Sequence, residues 1–160
     1  YRRQRQMCIR DRPLSRAVIK PLYLSSGGNA NTDQGDGILS WEPPVEQVPD
    51  CYSYNPLEPI RSVEGVSIWN LFTDGLGERK LIEPDRIYEY RFSLRPISNC
   101  FLKGHSIRIE VTSSDMDRYA RNQNVPDAPG TTANVAIAEQ TIHHGGATLS
   151  RLELPVIPPA

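Results

Sequence analysis

A chain of 160 residues has the size of one domain. Its formal charge of −1 gives no electrostatic reason to expect nucleic acid or an anionic membrane as a partner. Fourteen prolines and 11 glycines in a chain only 38% hydrophobic imply many short segments and exclude long helices.

No apolar run approaches the ~20 residues needed to cross a bilayer. The basic first dozen residues lack the apolar core of a signal peptide, so a soluble protein is expected, with the compartment, cytoplasmic or secreted, left open. Residues 1–13 carry five arginines and almost nothing to bury, so they cannot offset their own ordering entropy. They resemble translated adaptor sequence and are set aside as a disordered or extraneous segment. The folded domain is expected over 14–160.

Residues 17–24 read as a first strand, with Pro21 favouring an edge or a bulge because it lacks an N–H. Residues 25–37 form a loop by every turn criterion. Its spaced Asn29, Asn31 and Asp33 suggest a calcium loop, but Gln34 stands where an EF-hand needs glycine and Ser40 where it needs the bidentate glutamate. A polar hairpin is the simpler reading, with no metal. Residues 38–41 form a short strand, 42–49 a proline-rich extended run, and 51–54 another short strand. Between them and the next clear strand, residues 63–83 offer only Val66, Ile68 and Leu71 or Phe72 for one strand, followed by turns.

The strongest periodicity lies in the middle of the chain. Tyr88, Tyr90, Phe92 and Leu94 alternate with Glu89, Arg91 and Ser93. After a turn at Lys103-Gly104, Ile107, Ile109 and Val111 alternate with Arg108, Glu110 and Thr112, which predicts a central strand closed by Ser113-Ser114-Asp115. These two strands are expected to face each other across the core. An irregular loop covers 115–133, and a loop of that length is usually functional or packed on something. Residues 134–142 and 149–156 are the last strands, joined by His143-His144-Gly145-Gly146, with Leu152, Leu154 and Val156 on one face. Strand following strand with turns between predicts an all-β antiparallel sandwich or jelly roll of the galactose-binding-domain type.

Little in this pattern carries chemistry. Gly104-His105-Ser106 begins like the G-x-S-x-G nucleophile elbow, but Arg108 stands where the second glycine belongs and the chain continues as a strand. Ser106 is therefore expected in a regular ladder and His105 as a structural hydrogen-bond partner at its entrance. Adjacent His143 and His144 point to opposite faces of an extended chain, which suits a solvated hairpin or a domain contact better than zinc. Cys51 and Cys100 are either a bridge or, more simply, two buried thiols; Cys8 lies outside the fold. Arg118, Arg121 and Asn122 form a polar cluster that either fixes the long loop through carboxylates or meets another domain. Trp41, Trp69, Tyr52 and Tyr54 raise a separate possibility, a carbohydrate-binding module, against the simpler view that aromatics fill a sandwich core. No catalytic, cofactor-binding or metal-binding residue is assigned.

Three blocks carry a family resemblance. They are Leu22-Tyr23-Leu24-Ser25-Ser26-Gly27-Gly28 through Gly35–Ser40; Phe101–Val111 with Ser113-Ser114 and Arg118-Tyr119-Ala120-Arg121-Asn122; and Ala138–His144 followed by Ser150–Pro158. In this order they resemble the C-terminal domain of cocaine-esterase-like and Xaa-Pro dipeptidyl-peptidase-like serine hydrolases. The resemblance covers most of residues 20–158, and it implies that this is a fragment of a longer enzyme. It departs at 63–83, where the family's strand block is shortened and closure of the sandwich comes into question, and at Met116-Asp117, where Phe-Pro is usual. The resemblance implies a parent enzyme cleaving esters or amides, with its serine, aspartate and histidine in an α/β-hydrolase domain ahead of this one. This chain alone would then be inactive and without cofactor. Its expected role is to pack on that domain, stabilise it and border its cleft, with the 113–115 turn and the 115–133 loop facing the partner.

Overall fold

The computed structural model describes residues 13–58, 82–94, 99–114, 122–128 and 130–158. They divide into two units, one formed by Tyr1–Asn55 with Ile137–Ala160 and the other by Pro56–Ala136. Among the described residues there is no helix. None is therefore long and apolar enough to cross a membrane.

The first unit holds five strands: β1 (Val18–Ser25), β2 (Ile38–Ser40), β3 (Asp50–Tyr54), β4 (Ala138–Ile142) and β5 (Arg151–Val156). They make an all-β sandwich of two antiparallel sheets, one of order β2-β1-β5 and one of β3-β4. The pairing of Leu22 with Leu152 and of Leu24 with Leu39 puts the leucines of three strands on one face. Leu22, in the central strand, is 3% exposed, and burying such a side chain contributes roughly 2 kcal/mol. Leu152, Leu154 and Val156 are half-buried while Arg151, Glu153 and Pro155 are exposed, the alternation of a strand with one covered face. In the second sheet Asp50, Tyr52 and Tyr54 are covered. Cys51 and Ser53 face out, opposite Thr141 and Glu139, with Ser53 donating a hydrogen bond to the Glu139 carboxylate.

Pro21 occupies the central strand and not an edge, and the register explains why that is tolerated. The Leu24 amide donates to Ser150 O at 3.0 Å, which makes Leu24 and Ser150 a hydrogen-bonded pair. Counting along the antiparallel ladder, Pro21–Glu153 and Ile19–Pro155 are then non-hydrogen-bonded pairs. Pro21 therefore turns its nitrogen toward the β2 side, where β2 pairing begins only at Tyr23. Pro155 turns its own nitrogen to the outer rim of β5. Neither proline removes a ladder bond.

The last two strands are not a hairpin. β4 pairs with β3 and β5 with β1, so the connection 143–150 carries the chain from one sheet to the other.

The second unit departs from the sequence reading. Residues 86–94 and 106–112 join no ladder among the described residues. Their side chains interact at spacing two along one chain: Tyr88 and Tyr90 stack at 6.2 Å, Arg91 meets Glu89, and Arg108 meets Glu110. Contacts at spacing two suit the alternation read from the sequence, while no paired strand is present here among the described residues. Ile107 and Ile109 are half-buried, but Val111 is 52% and Phe92 56% exposed. Among the described residues the core layer expected from these side chains is not found, and the sheets are built from residues toward the two ends of the chain. Leu102 to His105 form a turn closed by His105 N–H to Leu102 O at 3.0 Å, with Gly104 at φ +90° as a tight turn requires.

Candidate functional site

The most concentrated polar chemistry in the described residues is a buried cluster at one end of the two sheets. Ser26 follows the last residue of β1, Asp50 opens β3, and His144 stands two residues beyond β4. Because Asp50 pairs with Ile142, the start of β3 and the end of β4 lie together, and the turn after β4 brings His144 back over them. His144 is 2%, Ser26 7% and Asp50 8% exposed.

The cluster is densely wired. Ser26 Oγ donates to Asp50 Oδ2 at 2.7 Å and accepts from the Gly28 amide at 3.0 Å. The other Asp50 oxygen accepts from the Ala30 amide at 2.8 Å. His144 Nε2 lies 3.0 Å from both Ser26 Oγ and Asp50 Oδ2. Its Nδ1 lies 3.0 Å from Gln47 Oε1, and the amide nitrogen of Gln47 donates to Ser25 Oγ at 2.8 Å. Each buried polar atom named here has a partner, as burial demands. The network joins β1 to the segment before β3, to β3 itself and to the turn after β4, tying one sheet to the other.

Glycines make this approach possible. A Cβ on Gly145 would stand 2.6 Å from both Val45 O and Gln47 N, so only glycine lets the 45–47 backbone pass beside His144. Gly146 adopts φ +58° and donates its amide to Val45 O at 3.3 Å. Asp36 closes the β1–β2 loop by accepting from the Gly27 and Asn29 amides at 3.0 and 3.2 Å.

Serine, histidine and aspartate in contact invite comparison with a hydrolytic triad, and the wiring excludes it. A triad needs the carboxylate on one ring nitrogen and the serine on the other. Here both meet Nε2, Nδ1 is occupied by Gln47, and the serine is covered. The cluster is built to hold and not to attack.

The residues singled out from sequence are scattered. Ser106 is exposed on unpaired chain and not in a ladder, and the His105 side chain is exposed beside it. His143 is half-buried and its carbonyl accepts from Ser150 Oγ. Of the two expectations at His143-His144, a solvated hairpin or a domain contact, the solvated hairpin is overturned at His144, because the chain here crosses between sheets and the ring is 2% exposed. Cys51 and Cys100 are free but exposed, not buried; Cys51 sits on the outer face of β3, 3.6 Å from Thr141 Oγ1. Asn122 Oδ1 accepts from the Asn124 amide at 3.2 Å, so its described bond is local. Arg118, Arg121, Trp69, Cys8, Met116, Asp117 and most of 63–83 lie outside the described residues, as does Asp115. Trp41 is 51% exposed with Lys20 Nζ 6.0 Å from its ring centre, whereas Tyr54 is buried in β3. Among the described residues no group of three or more His, Cys, Asp or Glu side chains could hold a metal ion.

Sequence reasoning missed the cluster because its members are 24 to 118 residues apart. The available signal was the doubled glycine after Ser26 and again after His144, which marks close backbone approach.

Comparison with known proteins adds an independent observation. Residues 69–153 match the family model described as the X-Pro dipeptidyl-peptidase C-terminal non-catalytic domain. The chain is also similar to cocaine esterase from Rhodococcus sp. (strain MB1 Bresler), 24% identical over 223 aligned residues that cover 92% of this chain and 39% of that protein. The aligned stretch is longer than this chain, so the relative carries residues with no counterpart here. The chain spans well under half the length of the curated relative it matches. No solved structure matches it.

Proposed function

Because the chain belongs to the X-Pro dipeptidyl-peptidase C-terminal non-catalytic domain family, we propose that it is the accessory β-sandwich of a larger serine-type hydrolase that cleaves ester or amide bonds. The family match over 69–153 carries this reading. It is supported by the similarity to cocaine esterase over a minor part of that protein's length. It is supported too by the wiring of the Ser26–Asp50–His144 cluster, which leaves no exposed nucleophile beside a base. The role is to pack on an α/β-hydrolase domain of the same parent chain, stabilise it and border its cleft. The reaction centre, with its serine, aspartate and histidine, belongs to that domain.

The test has two arms. The chain alone, given a p-nitrophenyl ester, is expected to show no turnover above buffer; turnover abolished by Ser106→Ala overturns the assignment. The coding sequence upstream is expected to hold an α/β domain with a G-x-S-x-G elbow. That domain, expressed with and without this chain, is expected to melt several degrees higher when joined to it. An upstream glycosidase in place of a hydrolase overturns the reading in favour of a sugar-binding module.

A further inference from the structure

We infer that residues 86–94 are a self-complementary segment through which two copies of this chain pair as antiparallel strands, about a two-fold axis at Tyr90. The inference stands apart from the proposed function and starts from backbone without partners. Among the described residues, the N–H and C=O groups of 87–94 make no backbone hydrogen bond. The side chains around them are open, with Ile87 57%, Tyr90 51% and Phe92 56% exposed. Unused donors and acceptors beside apolar side chains invite a neighbouring strand, and the alternation of this segment suits one.

The order of charges identifies the neighbour as a second copy. In an antiparallel pair centred on Tyr90, Glu89 of each copy stands opposite Arg91 of the other, which gives two ion pairs on one face. On the other face Tyr88 of each copy stands opposite Phe92 of the other, and the two Tyr90 rings meet at the axis. Other registers lose this match. Centring on Glu89 or on Arg91 sets a like charge against its copy, and centring between two residues sets charges against aromatics. Parallel in-register pairing brings each charge beside its own copy. Within one chain Arg91 already meets Glu89 at 2.8 Å, but the two side chains are 78% and 71% exposed, so that bridge contributes little. Pairing replaces two such bridges, one in each chain, with two across the strands. Tyr88 and Tyr90, stacked at 6.2 Å, already form an aromatic row. Ser106–Thr112 has a similar order, Arg108 and Glu110 about Ile109, but Ile107 and Ile109 are half-buried, so its apolar side is partly covered. The strip at 86–94 is well short of the roughly 20–30 residues a side of a standard interface, so the pairing is weak and depends on concentration.

The experiment is sedimentation equilibrium of the 160-residue chain from about 10 μM to about 1 mM, with amide exchange read by NMR at both ends of that range. The wild-type mass is expected to climb from one chain toward two. In step with it, every second amide of 87–93 gains protection, because a strand in a two-stranded pair turns alternate N–H groups to its neighbour. Glu89→Arg and Arg91→Glu, both at exposed positions, set like charges opposite each other, and each chain is expected to self-associate about tenfold more weakly. Mixed in equal amounts, those two chains are expected to associate with each other about as wild type does. The double variant Glu89→Arg/Arg91→Glu, with both charges reversed, is expected to regain wild-type association, and Arg108→Glu is expected to leave it unchanged. A wild-type mass of one chain at the top of the range overturns the inference. So do single variants that associate as wild type does, a mixture or double variant that restores nothing, or an equal loss with Arg108→Glu.

Discussion

The two units of this chain put opposite halves of the β-strand rule on display. In the first, β1 contains a proline, β2 has three residues and β3 follows a proline-rich run, yet all five strands are paired. In the second, Tyr88–Leu94 and Ser106–Thr112 have the clearest alternation in the sequence, and among the described residues they form no ladder. Alternation dictates which side of an extended chain each residue takes. It does not supply the neighbour whose N–H and C=O complete the ladder. In the first unit that neighbour comes from the far end of the chain, as Val18 with Val156 and Asp50 with Ile142 show. The contrast teaches that long-range pairing, and not local pattern strength, decides where the sheets form.

The largest expected break in this contrast comes from deleting residues 1–68. The family match begins at residue 69 and includes β4 and part of β5, but their partners β3 and β1 lie before it. A chain starting at residue 69 is therefore expected to lose any cooperative urea transition, while the local 102–105 turn persists by NMR. Two chains that unfold alike would remove the first unit's claim to be the folded core. Leu22→Ala comes next, at about 2–5 kcal/mol, because the side chain is almost fully covered; a urea midpoint unchanged from wild type would count against the leucine face as that core. Gly145→Ala is expected to cost about 1–3 kcal/mol, since its Cβ meets two backbone atoms of the 45–47 segment that cannot retreat cheaply. The smallest effect is Arg108→Ala: its ion pair with Glu110 is 75% and 44% exposed at the side chains, and a midpoint change within about 0.5 kcal/mol is expected. A larger change there would mean that the second unit's segments carry more of the stability than their exposure allows.

Much of the first unit could be read from the residues. The strand expected over 17–24 is β1, that over 51–54 is β3, and the ends assigned to the last two fall within a few residues of β4 and β5. Turn chemistry was equally visible at Gly104 and in the Asn29–Asp36 loop, where glycine and short polar side chains satisfy the backbone locally. What could not be read is everything that depends on partners distant in sequence. His144 looked like a surface histidine because its neighbours are His143 and two glycines; its real neighbours, Gln47, Asp50 and Ser26, arrive from 97, 94 and 118 residues away. Pro21 looked like an edge marker because the ladder phase that makes it harmless is set by Ser150 and β5. Cys51 looked buried because cysteine usually is, and its place on the outer face follows from the β3–β4 register.

The outward nitrogen of Pro155 has a consequence for how this molecule behaves among its own copies. A sheet grows by offering a stranger a regular row of donors and acceptors, and on this rim the row is interrupted where the ring stands. Arg151 and Glu153 precede the gap on the same strand, exposed and bridged to each other with opposite charges, so the strand that carries the interruption also carries solvated ions. Among the described residues β5 is an outer strand of its sheet, and a single proline there makes that rim a poor template for stacking.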